Sequence, residues 1–359
     1  MSAQFNAHGA SLAILYIGHP DGTSLDRANA LRRLGHRVEH LELRQLLPPT
    51  PWIDRVIWKL GGQFLSPWIL RALPGKLKNH RYDLCYVDSG EIVTPGIIKL
   101  IRQHATKIVN YNIDDPFGKR DVARFAAYRL SVPYYDLCVV VRSENVAEAE
   151  RLGAKDVMRL YRSSDEIAHA SRAVTALDAE RWQADVLFLG TWFPERGPFL
   201  VDLIERGVPL TIRGANWQKA REWAILKPFF KGGQLKGDNY ALALQCAKVN
   251  LGLLSKGNRD LHTTRSLEIP ALGALLCAER TDEHLAMYRE GEEALFWDSA
   301  DECAKVCLDV LRDEERRKRI AAAGLARSIA NGNHNENAMN AIITRAFARH
   351  EPEGRSAAP

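Results

Sequence analysis

Short apolar runs recur along this chain, each closed by a polar or glycine-bearing loop and followed by a helix-length segment. LAILYIG (12–18), HRVEHLEL, YDLCYVD (82–88), KIVNYN (107–112), YDLCVVV (135–141) and DVMRLY (156–161) form a first series. ADVLFLG (184–190), PLTIRG (209–214), VNLGLLS (249–255), ALLCAE and EALFWD form a second. Strands that alternate with helices must run parallel, because each helix carries the chain back to the starting edge. The pattern therefore predicts two parallel sheets, each covered on both faces. We expect an arm at 1–11, a first Rossmann-like domain at 12–170, a linker at 171–183 and a second Rossmann-like domain at 184–335. A closing helix at 336–350, with Ala338, Ile342, Ile343 and Phe347 on one face, is placed to cross back to the first domain. A disordered tail is expected at 351–359.

Open parallel sheets bind ligands at the carboxyl ends of their strands. Here those ends carry Gly18, His19, Asp21, Gly22 and Thr23, then Asp88–Glu91, then Asp114 and Asp115. No G-x-G-x-x-G follows the first strand, so dinucleotide binding is unsupported. Asp238 is expected to cap a helix, and another helix is expected over Lys119–Leu130. Residues 48–80 break the alternation with Trp52, Trp58, Phe64 and Trp68 near helical spacing. Core packing is the favoured reading of these aromatics, and an acceptor-binding lobe the sharper one.

Charge excludes little. There are 49 basic and 44 acidic residues, a net +5, which suits a small anionic ligand and does not argue for nucleic acid. No apolar run is long enough to span a bilayer, and the first residues lack a signal-peptide pattern. Cys85, Cys138, Cys246 and Cys277 sit in apolar patterns, as buried thiols in a reducing compartment would. Cys303 and Cys307 lie one helical turn apart, with no further His or Cys in sequence to complete a metal site. No metal is expected, and a cytoplasmic location is.

The stretch GNRDLHTTRSLEIPALGALLC (257–277) carries the most chemistry. Thr263, Thr264 and Arg265 open a helix, and hydroxyls, free N–H groups and a guanidinium suit phosphate. Glu268 follows, and an ionised carboxylate suits a pair of sugar hydroxyls. Together they suggest a nucleotide or nucleotide-sugar site. Arg196, within Thr191–Arg196, is a second phosphate candidate through bidentate pairing. Gly190 would let backbone approach a donor, Arg213 is a weaker cleft candidate, and Tyr240 packs either on a base or in the core.

TRSLEIPALGALLCAERTDEHLAMYREGEEALFWDSADE, LRDEERRKRIAAAGLAR and NGNHNENAMNAI resemble the C-terminal domain of CgeB-like (spore-maturation-type) glycosyltransferases. LFLGTWFPERGPFL resembles that family's strand-loop-Arg element, and NIDDPFG its N-terminal D-D-P element. The resemblance is strong over about 184–340. It implies an α/β GT-B fold, two Rossmann-like domains facing each other across a cleft, with Glu268 on the donor ribose and Arg265 near the diphosphate. Asp260, eight positions before Glu268, reproduces with Asp for Glu the acid pair of many retaining glycosyltransferases. If the transfer inverts, a base must take the acceptor proton. Asp115 and Asp114 are the first candidates, although Asp115 before Pro116 also suits an N-cap; Asp88, Glu91 and His19 are alternatives.

The expected function is metal-independent transfer of a sugar from a nucleotide-diphosphate sugar to a hydroxyl or amide. The acceptor is a glycan, a lipid-linked molecule, a small molecule or a protein, and donor base and sugar are left open. A nucleotide-sugar epimerase or hydrolase, or a non-catalytic nucleotide- or sugar-binding module, is the alternative. Nucleic acid is the least favoured acceptor.

Overall fold

The computed structural model describes residues 10–348. The tail expected at 351–359, and all but residues 10 and 11 of the arm, lie outside them. The first sheet holds β1 (Ala13–Ile17), β2 (Arg37–Leu41), β3 (Tyr82–Asp88), β4 (Ala105–Asn112), β5 (Leu137–Val140) and β6 (Val157–Arg159). Its order is β2-β1-β3-β4-β5-β6, and every pairing is parallel. The second sheet holds β7 (Ala184–Leu189), β8 (Leu210–Arg213), β9 (Ala247–Gly252), β10 (Leu276–Glu279) and β11 (Leu295–Trp297), in the parallel order β11-β10-β9-β7-β8. Both faces of each sheet are packed, which is why β3, β4 and β5 read as nearly unbroken apolar runs.

Strand order reverses between β1 and β3 in the first sheet and between β7 and β9 in the second. A crevice opens at such a switch point. The β1 turn folds back tightly there: a Cβ on Gly18 would lie 2.5 Å from Ser24 Oγ and 2.6 Å from the Tyr16 ring. The β7 and β8 ends are similarly close, since a Cβ on Gly214, at φ +136°, would lie 1.9 Å from the Gly190 carbonyl oxygen.

The closing helix, Asn335–Phe347, lies on the first sheet, where Met339, Ile342 and Ile343 join Ile14, Tyr16 and Leu84 in one core. Arg33 of the α1 helix (Gly22–Arg33) reinforces this by bonding Asp165, Glu166 and Glu336. The segment just ahead of the expected linker is well packed: Arg162, Ser163, Ser164, Asp165 and His169 are buried, and Ser164 bridges to His334.

Several local expectations need correction. The helix expected from Lys119 begins only at Ala126, because Asp115 closes a turn onto Gly118 N–H (3.0 Å) instead of capping a helix. The helix expected to be capped by Asp238 starts earlier, over Gly237–Cys246 with Lys236 at the cap, and Asp238 points out to Arg172. The aromatic excursion forms α2 (Pro51–Leu60) and α3 (Ser66–Leu77), but its aromatics are not core. Ile53, Leu65, Ile69, Leu73 and Leu77 face inward, while Trp52, Trp58, Phe64 and Trp68 are all more than half exposed. Cys303 and Cys307 do gain a third thiol: Cys277 of β10 brings the three sulfurs within 4.8 Å of one another, inside an apolar core.

Candidate active site

The two switch points face each other, and a cleft of about 550 Å³ lies between them. The first domain lines it with His19, Asp21–Ser24, Asp26, Arg27, Asp88, Ser89, Glu91 and Asp114. The second contributes Gln234–Gly237, Tyr240, Arg265 and Glu268, and His169 approaches from the crossover between the domains.

Glu268 lies on the seven-residue helix Arg265–Ala271 and is 1% exposed. Tyr240 Oη and Arg265 Nη1 (3.0 Å) donate to its Oε2. His169 Nε2 lies 3.4 Å from its Oε1. The backbone N–H of Asp165 donates to His169 Nδ1 (2.9 Å), so a neutral ring carries its proton on Nε2, aimed at the carboxylate. Burial alone would raise the Glu268 pKa, but Arg265, His169 and Tyr240 hold it below the usual glutamate value. A dry, ionised, two-oxygen acceptor therefore stands at the wall of the cleft. The Arg265 guanidinium stacks on Tyr240, 4.9 Å from the ring centroid, and so keeps its place beside Glu268.

The other donor-side candidates scatter. Arg196 is buried and committed to carbonyls of Thr191 (2.7 Å), Leu253 (2.9 Å) and Leu254 (3.2 Å), between the rings of Phe188 and Phe193. Burial pulls its pKa down to about 10. It braces the β7 and β9 ends, and neither it nor Thr191 lines the cleft. Gly190 accepts from Trp217 Nε1 (3.0 Å) and passes close to Phe188. Arg213 lines a separate pocket with Trp182 and Lys231. Thr263 and Thr264 also stay off the cleft wall; Thr263 N–H bonds Ser266 Oγ (3.1 Å), and Arg265 Nη1 bonds Thr264 Oγ1 (3.2 Å).

Asp260 faces the opposite domain, not the cleft. Its buried carboxylate accepts from Arg142 and from Arg162 (2.8 Å), both in the first domain. Arg259 beside it reaches Asp115 (2.6 Å) and Glu148 (2.9 Å), and Arg120 reaches Ser255 (2.8 Å) and Asn258. The loop after β9 is thus a clamp between the domains. Asp115 belongs to that clamp; it is 3% exposed, and Arg259, Asn145 and Arg142 hold its pKa down against burial. It is not displayed into the cleft.

Of the remaining acids, Asp88 is buried and takes both Nε (3.0 Å) and Nη2 (2.8 Å) of Arg27, plus the Tyr16 hydroxyl. Glu91 and Asp114 share Arg124, with Asp114 at 3.3 Å. The turn that presents Glu91 is strained. Ser89 sits at φ +67°, held by Asn110 and Asn112 side chains that donate to its carbonyl (3.1 Å each). His19 is exposed, with Nδ1 2.6 Å from Asp21 Oδ1, and Asp21 also meets Lys236 of the second domain at 2.5 Å.

A second cavity of about 460 Å³ opens beside the cleft, walled by Ile17, Leu43, Ile57, Trp58, Ile92 and Val93. His19, Asp88, Ser89 and Glu91 line both cavities and mark their junction.

Two site residues had no sequence signal. His169 sits in a stretch with no motif. Asp26 lies inside α1, where an acid normally reads as helix surface. Burial first, then Asp165, push the Asp26 pKa up to about 6, against the pull of His169 and Arg27. A carboxyl with a raised folded-state pKa costs stability as pH rises from its unfolded value toward 6 and beyond. Asp26→Asn should therefore stabilise the chain at pH 7.5 by about 1 kcal/mol, since the group is still partly solvated, seen as a higher Tm, and give no gain near pH 4. Thermal melts at the two pH values check this.

Residues 196–344 match a family model described as glycosyl transferase-like. No curated protein matches the chain. Among solved structures, sucrose-phosphate synthase from Thermosynechococcus elongatus aligns with TM-score 0.68 at 14% identity, over 93% of this chain and 98% of that one. Anabaena Alr3699/HepE in complex with UDP-glucose aligns with TM-score 0.65 at 13% identity, over the same shares. Staphylococcus aureus TarM, in a complex with Fondaparinux, alpha-GlcNAc-glycerol and UDP, aligns with TM-score 0.55 at 9% identity, over 78% of this chain and 58% of that one. Two facing parallel sheets in these strand orders give this chain a GT-B fold, and residues 196–344 of it are similar to the glycosyl transferase-like family.

Proposed function

We propose that the chain transfers a sugar from a nucleotide-diphosphate donor, held by the second domain, to an acceptor held by the first, without a resident metal. The observation that carries this reading is Glu268, a buried carboxylate kept ionised on the cleft wall beside an arginine. The carboxylate suits ribose hydroxyls, and Arg265 with Lys236 suits the diphosphate and the negative charge that grows on it as the sugar leaves. Two cations so placed supply the neutralisation that a metal would otherwise provide. HepE was solved with UDP-glucose, which makes uridine the first base to test. Kinship with the CgeB-like group is supported by the R-x-x-E-I-x-A-x-G run at Arg265–Gly273. A nucleotide donor and six unpaired cysteines suit the cytoplasm.

For the acceptor proton we favour His19. It stands where the two cavities join, is open to solvent, and has its ring oriented by Asp21. Asp88, Asp115 and Glu91 are each tied to an arginine, so none of them offers a free carboxylate to an acceptor. Nucleotide screening by thermal shift should single out one base through stabilisation. With that donor, His19→Ala should lower kcat about a hundredfold and leave donor KM unchanged. Full activity in excess chelator is expected. Donor turnover with every acceptor class yielding no product would favour the hydrolase reading.

A further inference from the structure

The exposed aromatics of α2, α3 and the turn between them need a reason to be in water. Trp52 (56% exposed), Trp58 (59%), Phe64 (62%) and Trp68 (53%), with Leu60 (54%), fall within one short excursion. Among the described residues, no tryptophan elsewhere is as exposed. Contiguous exposed apolar surface marks a binding face.

The charge around these side chains says what covers them. Residues 51–81 carry Arg55, Lys59, Arg71, Lys76, Lys78 and Arg81 against a single acid, Asp54. That excess of five equals the +5 of the whole chain, so the remainder is balanced. All six cations are exposed, and Arg44 neutralises Asp54 at 2.6 Å. Inward-facing Ile53 and Ile57 of α2, and Ile69, Leu73 and Leu77 of α3, anchor the excursion to the core. The opposite faces mix tryptophan, phenylalanine and leucine with lysine and arginine. This is the composition of a helix lying in a lipid headgroup layer, where indoles sit at the interface and cations meet anionic lipid. No helix among the described residues is long and apolar enough to cross a membrane, so the contact would be at its surface.

We propose that the α2–α3 face docks on an anionic lipid bilayer. Docking there has a consequence for the site. Ile57 and Trp58 of α2 wall the second cavity, whose far end joins the donor cleft at His19 and Glu91. Arg124 ties the two together, with its guanidinium 4.5 Å from the Trp58 ring centroid and bonded to Glu91. The cavity mouth then lies at the membrane surface, and its apolar wall suits an acceptor carried by a lipid. That last step rests on the transfer reading above; docking itself does not.

The test is flotation of the purified full chain with vesicles of phosphatidylcholine alone or mixed with phosphatidylglycerol, without nucleotide. Binding only to the anionic vesicles, weakened by high salt, is expected. Lys59→Glu with Arg71→Glu and Lys78→Glu should weaken binding about a hundredfold or more, at roughly a fivefold loss per cation. Trp52→Ser with Trp68→Ser should weaken it too, with Tm unchanged because these side chains are exposed. No binding to anionic vesicles at low salt, or equal binding by the charge-reversed chain, overturns the proposal. So does a dimer in solution that Trp68→Ser dissolves without any vesicle binding. Donor stabilisation of Tm, measured on the same protein, is independent of all these outcomes and separates failure of docking from failure of the transferase reading.

Discussion

Replacing Glu268 by alanine is expected to weaken donor binding about a thousandfold. A hydrogen bond to an ionised group contributes about 1.5–3 kcal/mol, and a carboxylate that accepts from two ribose hydroxyls makes two of them. The substitution also leaves Arg265 without its carboxylate, so some stability is lost with the ligand. Glu268→Gln separates the two effects. It keeps the volume and one acceptor oxygen but removes the charge that Arg265 and His169 face. Its donor affinity should fall between wild type and alanine, with a smaller loss of Tm. Titration calorimetry with the stabilising nucleoside diphosphate measures the affinities. Wild-type affinity in Glu268→Ala would remove the central support for the donor site.

Asp260→Asn is expected to destabilise the chain by about 3–5 kcal/mol. The change leaves the arginines Arg142 and Arg162, both nearly inaccessible to water, facing a neutral amide, and breaking one partner of a buried pair costs that much. In a chain of this size the loss should appear as a fall in Tm of about 4–7 °C. The damage should be greater than for Arg259→Ala, because Arg259 is about a third exposed and its pairs with Asp115 and Glu148 are partly screened. Donor affinity should change far less than in Glu268→Ala, since Asp260 does not line the cleft. A large loss of donor affinity with Tm unchanged would return Asp260 to the ligand site.

The fold was legible because parallel sheets leave a strong mark. Strands buried on both faces read as apolar runs, and YDLCYVD or KIVNYN have few other uses. The crossing of the closing helix was readable from Ala338, Ile342 and Ile343 on one face with nothing nearby in sequence to cover it. Glu268 and Arg265 could be nominated together because they are three residues apart on one helix, and their contact at 3.0 Å is local. The base was another matter. Asp88, Glu91, Asp114 and Asp115 look equivalent as acids at strand ends, but Asp88 meets Arg27, Glu91 and Asp114 share Arg124, and Asp115 meets Arg259 from far away in sequence. The exposed tryptophans misread as core for the same reason. Helical spacing tells which side chains share a face, but not whether a neighbour covers it.

The sequence by itself determined two parallel α/β units and the local pair at Arg265 and Glu268, because periodicity and near-neighbour spacing are set within one helix or strand. Only the tertiary structure decided which polar residues are consumed. It assigned Arg196 to strand-end carbonyls, Asp260 and Asp115 to the clamp between domains, His169 and Asp26 to the cleft, and Trp52 to Trp68 to an open face. Each of those fates depends on a partner brought close by the packing of distant segments, and a lone residue type carries no record of that partner.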